Sequence, residues 1–446
     1  MWIGIDDTDS PRGGCTTYAM TEVLRTAREE GIDVIGEPRL VRLNPNAPWK
    51  TRGNAALAAR FGVGRGRPRT IGSVDGAPLR CYPAGSPLPE ARARAWIDRA
   101  WSVVLESSRR GEPGTDPALV ASPRRLPSSL YWDAVRSFVD PEARRKELAR
   151  LGAEWRTDGE IRGLVGASAA IAWPARRRTW EAVAYRPRAR WGRPRRVDGR
   201  SVARAQREED RLFLCVDRRT RRVMVAPHTP CPILFGLRAT DPRAALRAVG
   251  RIRSEPWERS TLFVTNQATG DHIVPLPAGA EAVPGSTVRF RGIVDGTPAE
   301  MPGGHVRLPL RRPDGGRLVA WAFEPTKTLP SLARRLVPGD RLLVWGSVGD
   351  DRAVRLEGVG VRRWARARGP ARPPRCARCD RPARSLGRLR GYRCPSCHRR
   401  WPPEAARRES GPAPAPLGTY HPTPSARRHL HPLAPEPGPL PPGPMG

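Results

Sequence analysis

The chain has 446 residues, enough for about two to four domains, and its formal net charge at pH 7 is +35. Such an excess of positive charge indicates a polyanionic partner, most often a nucleic acid. No apolar run reaches the roughly 18 residues of a membrane-spanning helix, and no basic leader precedes an apolar stretch. We therefore expect a cytoplasmic protein with neither a membrane segment nor a signal peptide.

An apolar run at the start of the chain ends at three closely spaced carboxylates: Asp6, Asp7 and Asp9. The run predicts a strand, and carboxylates at the end of a strand supply the hard oxygen ligands that Mg²⁺ prefers. The alternative is a polar turn in which Asp9 or Ser10 caps the following helix. A calcium loop is excluded because, counted from Asp7, its twelfth position is Tyr18, where that loop needs a bidentate glutamate.

Two glycines and two hydroxyl residues follow these acids: Gly13, Gly14, Thr16 and Thr17. Apolar residues then recur at helical spacing until Gly31, so we predict a strand, a glycine-rich turn and a helix in this order. The free N–H groups at the start of that helix are suited to bind phosphate. A P-loop is excluded because no glycine in the chain is followed directly by Lys and then Ser or Thr.

A second turn, residues 44–56, is rich in side-chain donors and follows a short predicted strand. Lys50 and Arg52 in this turn are suited to neutralise phosphate charge, and the alternative is a solvated basic loop. We expect the turn to open a helix over 55–61. The further helices predicted in this half of the chain cover 89–110 and 130–139.

Residues 151–280 have the pattern of an α+β domain, for which the ferredoxin-like fold is a common small type. A small-residue helix that can pack closely on a sheet is predicted over 163–172. The other elements predicted here are strands over 179–185, 212–216, 222–226 and 260–266, and a helix over 241–252.

Residues 281–363 contain five short alternating stretches separated by Gly, Pro and Asp turns: 287–293, 305–310, 318–323, 340–347 and 354–359. This pattern predicts a small Greek-key barrel of the OB-fold type. Trp321 and Phe323, with Lys327 nearby and arginines on the strands, are suited to bind single-stranded nucleic acid. The alternative is that the aromatic rings belong to the core of the barrel.

Four cysteines form two Cys-x-x-Cys pairs separated by fourteen residues: Cys376, Cys379, Cys394 and Cys397. This spacing predicts a structural zinc site in a zinc ribbon over 374–402. Arg378 and Arg393 lie in and between the pairs, which indicates RNA contact, the alternative being a solvated basic surface. The Pro-rich residues 403–446 are predicted to be a disordered tail.

Several strings of residues, in this order along the chain, carry a family resemblance: 3–10 with 13–18, 44–45 with 48–54, 114–117, 162–167, 265–267 with His272, 324–327 and the two cysteine pairs. Through these strings the chain resembles the archaeal agmatidine synthetases, the 2-agmatinylcytidine synthetases of the AUA-decoding isoleucine tRNA. The resemblance implies a multidomain α+β protein: a kinase-like α/β domain (1–150), a ferredoxin-like domain (151–280), an OB-fold (281–363) and the zinc ribbon.

The resemblance also implies a reaction. Members of this family attach agmatine to C2 of the wobble cytidine in the CAU anticodon of an isoleucine tRNA, and they consume ATP, which is converted to AMP. The C2 oxygen is a poor leaving group, so it is first phosphorylated and then displaced by the agmatine amine.

The same resemblance implies that Asp6, Asp7 and Asp9 bind Mg²⁺ and ATP. It also implies that Thr17 corresponds to the threonine that becomes phosphorylated in the family. The expected cofactors are therefore ATP, Mg²⁺ and Zn²⁺. The expected partners are agmatine and the isoleucine tRNA with the CAU anticodon, without a membrane and without an obligate protein partner. Asp116 is one acid considered for binding the guanidinium of agmatine.

Two other functions stay open from the sequence. The first is a non-catalytic RNA-binding protein, in which the OB-fold and the ribbon carry the function. The acids at the end of the first strand argue against it, because an RNA binder has no use for clustered carboxylates facing a polyanion. The second is another ATP-dependent tRNA ligase that uses lysine in place of agmatine.

Overall fold

The computed structural model describes residues 1–51, 53–365, 367–387, 390–410 and 413–433. The described chain forms two compact units: unit 1 contains Met1–Val274, Ala282–Val288 and Thr423–Leu433, and unit 2 contains Pro275–Glu281 and Arg289–Pro422. Within these described ranges, no helix is both long enough and apolar enough to cross a membrane.

Unit 1 is a mixed α/β structure. Its strands are β1 (Trp2–Asp6), β2 (Asp33–Val34), β3 (Arg39–Arg42), β4 (Ala55–Arg65), β5 (Arg69–Val74), β6 (Ala77–Cys81), β7 (Ala84–Ser86), β8 (Ala118–Ser122), β9 (Glu154–Thr157), β10 (Thr179–Tyr185), β11 (Val216–Asp217), β12 (Arg222–Val223), β13 (Ile233–Ala239) and β14 (Arg259–Thr265). Its helices are α1 (Thr16–Glu29), α2 (Glu90–Ser107), α3 (Ser129–Arg136), α4 (Pro141–Arg150), α5 (Gly163–Ala172), α6 (Gly199–Glu208) and α7 (Pro242–Val249).

The largest sheet of unit 1 runs in the order β13-β10-β14-β3-β4-β1-β8-β9. Strands β10, β13 and β14 come from the predicted ferredoxin-like domain, and β14 pairs in parallel with β3 of the predicted kinase-like domain. Both predicted domains therefore share one continuous sheet. The boundary between these two domains at residue 150 stays a prediction, since strands from both sides of it belong to the same sheet.

Helix α5 packs on β1 at a distance that only glycine permits. A Cβ atom added to Gly4 of β1 would lie 2.2 Å from the carbonyl oxygen of Ala167, and one added to Gly166 would lie 1.7 Å from Asp6 Oδ2. The small-residue helix predicted over 163–172 is thus confirmed, and its small side chains are what bring it onto the strand that carries the acids.

The far end of α5 is held by a buried arginine of the neighbouring strand β3. Nη1 of Arg39 donates to the carbonyl oxygens of Ile171 and Trp173, each at 2.9 Å, and to that of Ala170 at 3.2 Å. The Arg39 guanidinium also lies 4.2 Å from the ring centre of Trp2. These bonds satisfy carbonyl groups that every helix leaves without a partner in its last turn.

Three predictions of local structure are wrong. Residues 55–61, predicted as a helix, begin the long strand β4, which lies between β1 and β3 and is buried along most of its length. Small apolar residues on both faces of an inner strand do not alternate, so their pattern imitates a buried helix. The strands predicted over 212–216 and 222–226 shrink to the two-residue pairs β11 and β12.

Strand β15 (Ile273–Pro275) leads from unit 1 into unit 2, which contains a five-stranded barrel. The barrel strands are β16 (Thr287–Val294), β18 (His305–Arg311), β19 (Arg317–Ala322), β20 (Arg341–Val348) and β21 (Val354–Arg363), with the short β17 (Ala299–Met301) beside β18 and helix α8 (Thr328–Ala333) between β19 and β20. The pairing order β16-β20-β21-β19-β18 closes because β18 also pairs with β16. The predicted OB-fold and its five strands are confirmed.

The remaining strands of unit 2 are short: β22 (Ala367–Arg372), β23 (Arg384–Ser385), β24 (Tyr392–Arg393), β25 (Arg400–Trp401), β26 (Arg407–Ser410) and β27 (Gly418–Tyr420). The extent of the predicted disordered tail, 403–446, is wrong. β26 pairs with β22, β27 pairs with β21, and Thr423–Leu433 belongs to unit 1. Residues 434–446 lie outside the described residues.

The close contact between α5 and β1 leads to a first prediction. Gly4→Ala should lower the free energy of unfolding by about 1–3 kcal/mol, because its methyl group meets helix backbone that cannot yield. Urea unfolding checks this value. Gly250→Ala is the matched control, since Gly250 has a helical φ of −70° and no atom within 4 Å of its added Cβ. Equal stability of the Gly4 variant and the wild type would contradict the proposed tight packing.

Candidate active site

Unit 1 contains a cavity of about 1050 Å³. Its wall is formed by the end of β1, the start of α1, the loop after β3, the start of α5, the strands β10 and β13, and residues near the C-terminus. The lining includes these predicted site residues: Asp6, Asp7, Asp9, Thr16, Thr17 and Lys50. Residues predicted from two separate turns of the sequence therefore meet in one cavity.

The end of β1 concentrates negative charge at the cavity wall. Asp7 has a left-handed backbone conformation, with φ at 59°, and its N–H donates to Asp6 Oδ1 at 2.8 Å. Arg162, at the start of α5, is the counter-charge: its Nε lies 3.7 Å from Asp7 Oδ2, and its Nη2 lies 3.6 Å from Asp116 Oδ2. Asp116 therefore forms an ion pair with Arg162, and it is not part of the cavity lining.

The carboxyl groups at the end of β1 hold their protons more strongly than ordinary aspartates do. Burial, with the nearby charge of Asp7, raises the pKa of Asp6 well above its usual value. Burial raises the pKa of Asp7 to about 7, with Asp9 and Asp116 adding to the rise and Arg162 opposing it. These carboxyl groups supply the hard oxygen ligands that fit a divalent cation such as Mg²⁺.

The N-terminus of helix α1 lies at the cavity. Its N-cap residue, Cys15, makes no side-chain capping bond, and its Sγ lies 3.0 Å from Thr17 Oγ1. Thr16 and Thr17 are both buried and line the cavity. Because the N-cap position is Cys15, neither Asp9 nor Ser10 is the N-cap residue of this helix; Ser10 instead donates to Glu112 and accepts from the Arg12 N–H.

The two predicted phosphate-binding glycines lie beside the cavity and are not part of its lining. Gly13 and Gly14 pack against Arg109, and Gly14 has a φ of 69°, which a residue with a Cβ rarely adopts. Their position indicates that they shape the turn before α1.

The predicted basic loop after β3 is present. Lys50 lines the cavity, and its Nζ donates to the carbonyl oxygen of Pro45. The loop is closed by Asn54, whose Nδ2 donates to the carbonyl oxygen of Asn44 at 2.8 Å. Arg52 lies outside the described residues.

Sequence reasoning missed a buried polar group in the same wall. Arg42 ends β3, Glu181 lies on β10 and Arg238 on β13, and all three line the cavity. Arg42 Nη2 is 3.7 Å from Glu181 Oε2, and the Nε atoms of Arg42 and Arg238 have no hydrogen-bond partner in the described part of the chain. The available signal was a charged residue in each of three apolar strands, a position that normally needs a specific reason.

In unit 2, the four cysteines come together as predicted. Their Sγ atoms all lie within 4.8 Å of one another, next to the small sheet β23-β24-β25. The backbone N–H groups of Cys397 and Ser396 lower the pKa of Cys394 to about 6, which favours the thiolate form. Four sulfur atoms at this separation fit a tetrahedral zinc ion.

The predicted RNA-binding residues of unit 2 are accessible. The rings of Trp321 and Phe323 stack, with centres 6.2 Å apart and planes at 15°. Both rings are at least partly exposed, whereas Trp345 belongs to the core. Arg378 and Arg393 are exposed on the ribbon, and Lys327 pairs with Glu324.

Comparisons with known proteins agree with this architecture. Residues 2–157 match the family model of the TiaS TCKD domain, and residues 162–272 match that of the TiaS FLD domain. TiaS of Methanopyrus kandleri, the 2-agmatinylcytidine synthetase of isoleucine tRNA 2, is 35% identical, over 96% of this chain and 95% of the relative. The chain belongs to the TiaS family. TiaS of Methanosarcina mazei is 33% identical, over 96% of both chains.

Solved TiaS structures share the fold. A crystal structure of apo TiaS, described as the agmatidine synthetase of isoleucine tRNA 2, aligns with a TM-score of 0.79 and 30% identity, over 97% of this chain and 96% of the other. A complex of TiaS with isoleucine tRNA 2, AMPCPP and agmatine aligns with a TM-score of 0.77 and 28% identity over the same shares. The family resemblance seen in the sequence is confirmed.

The raised pKa of Asp7 predicts how stability changes with pH. Between the ordinary value of 3.8 and about 7, the folded state keeps a proton that the unfolded state releases. The free energy of unfolding in magnesium-free buffer should therefore fall as the pH rises through this range, by at most about 1.4 kcal/mol per pH unit for one carboxyl group. Urea titrations at several pH values measure the slope. Asp7→Asn should flatten it, and an unchanged slope in that variant would refute the assignment.

The cysteine cluster gives a prediction for unit 2. Cys394→Ser should lose bound zinc, because a hydroxyl group replaces one of four thiolate ligands. Metal analysis of the purified protein measures the zinc content. Ser396→Ala, between two of the ligands, is the matched control and should keep it. One zinc ion per chain in the Cys394 variant would argue against a four-cysteine site.

Proposed function

We propose that this protein attaches agmatine to C2 of the wobble cytidine of the isoleucine tRNA with the CAU anticodon, using ATP, so that the tRNA reads AUA. The observation that carries the proposal is that the acids of β1, the N-terminus of α1 and the largely buried arginines Arg42 and Arg238 line the same cavity. The relatives also support the proposal. They are named 2-agmatinylcytidine synthetase of isoleucine tRNA 2, and one solved TiaS complex contains that tRNA, AMPCPP and agmatine.

The acids provide the metal site of this proposal. Asp6, Asp7 and Asp9 would hold Mg²⁺, which supplies positive charge to the phosphates of the nucleotide. Arg162 limits the charge of this group when no metal is bound, because it lies beside Asp7 and Asp116.

The phosphates of ATP are assigned to the neighbouring part of the wall. The first N–H groups of α1, at Thr16 and Thr17, can donate to phosphate oxygens, since the side chain of the N-cap residue Cys15 makes no capping bond to them. Arg42 and Arg238 add largely buried positive charge, and among the described residues their Nε atoms have no hydrogen-bond partner. Lys50, in the loop after β3, and Arg52 are proposed to neutralise phosphate charge, as the sequence predicts.

Thr17 is the proposed phosphorylated residue of the domain. Thr17 lies at the start of α1 and lines the same cavity as the acids. A phosphate group there would meet the positive end of the helix dipole, which favours negative charge.

The chemical steps follow from the poor leaving ability of the C2 oxygen. Phosphoryl transfer from ATP converts that oxygen into a phosphate ester, and the agmatine amine then attacks C2 and displaces phosphate. The cytidine must leave the stack of the anticodon loop before C2 can be reached. Unit 2 is assigned to tRNA binding: the Trp321 and Phe323 rings offer stacking surfaces, while Arg378, Arg393 and Lys327 meet phosphates.

The two other functions considered from the sequence have less support. A non-catalytic RNA binder leaves the acid cluster and its cavity without a purpose. A ligase that uses lysine is less well supported because the names of the relatives and the solved TiaS complex both point to agmatine. A cytoplasmic location remains a prediction, consistent with a tRNA substrate.

One assay tests the proposal. Purified protein, ATP, Mg²⁺ and a CAU-anticodon isoleucine tRNA transcript are incubated with labelled agmatine or labelled lysine. Label from agmatine alone should enter the tRNA, at C2 of the wobble cytidine by nucleoside mass spectrometry. Asp7→Asn should reduce incorporation at least a hundredfold, because it removes a metal ligand, and it should leave tRNA affinity unchanged. Incorporation of lysine, or full activity of Asp7→Asn, would refute the proposal.

A further inference from the structure

We propose that the return segment, residues Thr423–Leu433, completes the catalytic cavity and that its His429 is a positioning residue for Gln267, Glu181 and Arg42. This inference rests on the proposed function, since it assigns a task within the same cavity. It concerns a part of the chain whose composition alone predicts disorder.

The return segment is bound to the backbone next to β14. The Ala268 N–H donates to the His429 carbonyl oxygen at 2.8 Å, and the Gly270 N–H donates to that of Leu430 at 2.9 Å. The Leu433 N–H in turn donates to the carbonyl oxygen of Ala268 at 3.1 Å. Three backbone bonds of this kind resemble those of an added strand, which gives the segment a fixed register.

Side chains fix the segment at several points. Leu430 is buried in the core cluster that also contains Leu164 of α5 and Val41 of β3. Arg428 donates to Asn46 Oδ1 in the loop after β3, and the Ser425 N–H donates to Asp217 Oδ2 at 3.1 Å. The segment is therefore part of the folded unit and not a peptide lying on its surface.

His429 ends a chain of hydrogen bonds that leads into the cavity. Gln267 is fully buried, and its Nε2 donates to Glu181 Oε2 at 2.5 Å. Because its amide nitrogen is used in this way, Gln267 Oε1 must accept, and it lies 3.0 Å from His429 Nδ1. His429 is thus the donor, through Nδ1–H, and it fixes which way the Gln267 amide points.

The surrounding charges keep the His429 ring neutral. Arg42, burial and Arg238 together lower the pKa of His429 well below its usual value. A neutral ring with its proton on Nδ1 matches the donor role, and such a weak base is poorly suited to take a proton from the agmatine amine. The geometry therefore supports a positioning task and not general-base catalysis.

Loss of the His429 donor should change the cavity wall because Glu181 depends on Gln267 for a hydrogen bond. Without this donor, the Gln267 amide is free to rotate, and the Glu181 carboxylate loses its buried donor. Glu181 Oε2 is also the ion-pair partner of Arg42, at 3.7 Å from its Nη2. The position of Arg42 in the wall, and with it the binding of phosphate, should then be less well defined.

A pair of substitutions tests this inference in the full-length protein. His429→Leu removes the donor while keeping similar bulk. His429→Asn restores it, because the amide nitrogen of asparagine takes nearly the place of Nδ1. We expect kcat/KM for agmatine incorporation to fall at least tenfold in His429→Leu and to stay within about threefold of wild type in His429→Asn. ATP affinity, measured by calorimetry, should weaken at least fivefold only in His429→Leu.

Thermal unfolding and tRNA affinity separate this effect from misfolding, and both should match the wild type in the two variants. Wild-type kcat/KM in His429→Leu, or an equal loss in His429→Asn, would overturn the positioning role. If wild-type protein binds ATP but incorporates no agmatine, the proposed function fails, and the ATP titrations still decide the inference about His429.

Discussion

The close approach of α5 to β1 is the constraint on which the active site depends. Gly4 and Gly166 leave no room for a Cβ atom, so helix and strand meet almost backbone to backbone. This contact puts the start of α5, with Arg162, beside Asp7, while Arg39 holds the opposite end of the helix. A strand that ends in carboxylates thereby gains its counter-charge from a helix far along the chain. Close packing of this kind transmits small displacements, so side chains at the contact have little freedom to change.

The cavity wall contains opposite charges close to one another. Arg162 lies beside Asp7 at the end of β1, and Arg42 of β3 pairs with Glu181 of β10, which stands opposite Arg238 in the neighbouring strand β13. The carboxylate oxygens are suited to bind a cation, and the guanidinium groups are suited to bind an anion. A nucleotide with its metal ion offers both kinds of charge in one ligand. Burial makes this arrangement costly in the empty protein and correspondingly favourable when a ligand of matching charge binds.

Much of this architecture could be predicted because it depends on local patterns. The strand, turn and helix at the start of the chain, the small-residue helix α5, the five barrel strands and the cysteine pairs all have periods or spacings that neighbouring residues define. What the sequence did not reveal depends on contacts between distant residues. Strand β4 looks like a helix because both of its faces are buried, and Arg42, Glu181 and Arg238 meet only because β3, β10 and β13 share one sheet. The segment around His429 lies in a Pro-rich stretch, whose composition gives no sign of the backbone bonds that it forms with Ala268 and Gly270.

The return segment also has a consequence for biosynthesis. The ribosome makes the acids of the cavity long before it makes His429, which lies in the return segment. Between them the chain contains the barrel and the ribbon, so a growing polypeptide has its carboxylates long before the wall around them can be finished. A chain that stalls or is cut before residue 423 carries the acids in an incomplete cavity. Because residues Arg289–Pro422 of unit 2 precede the return segment in the chain, the wall of the cavity in unit 1 can be completed only after they have been made.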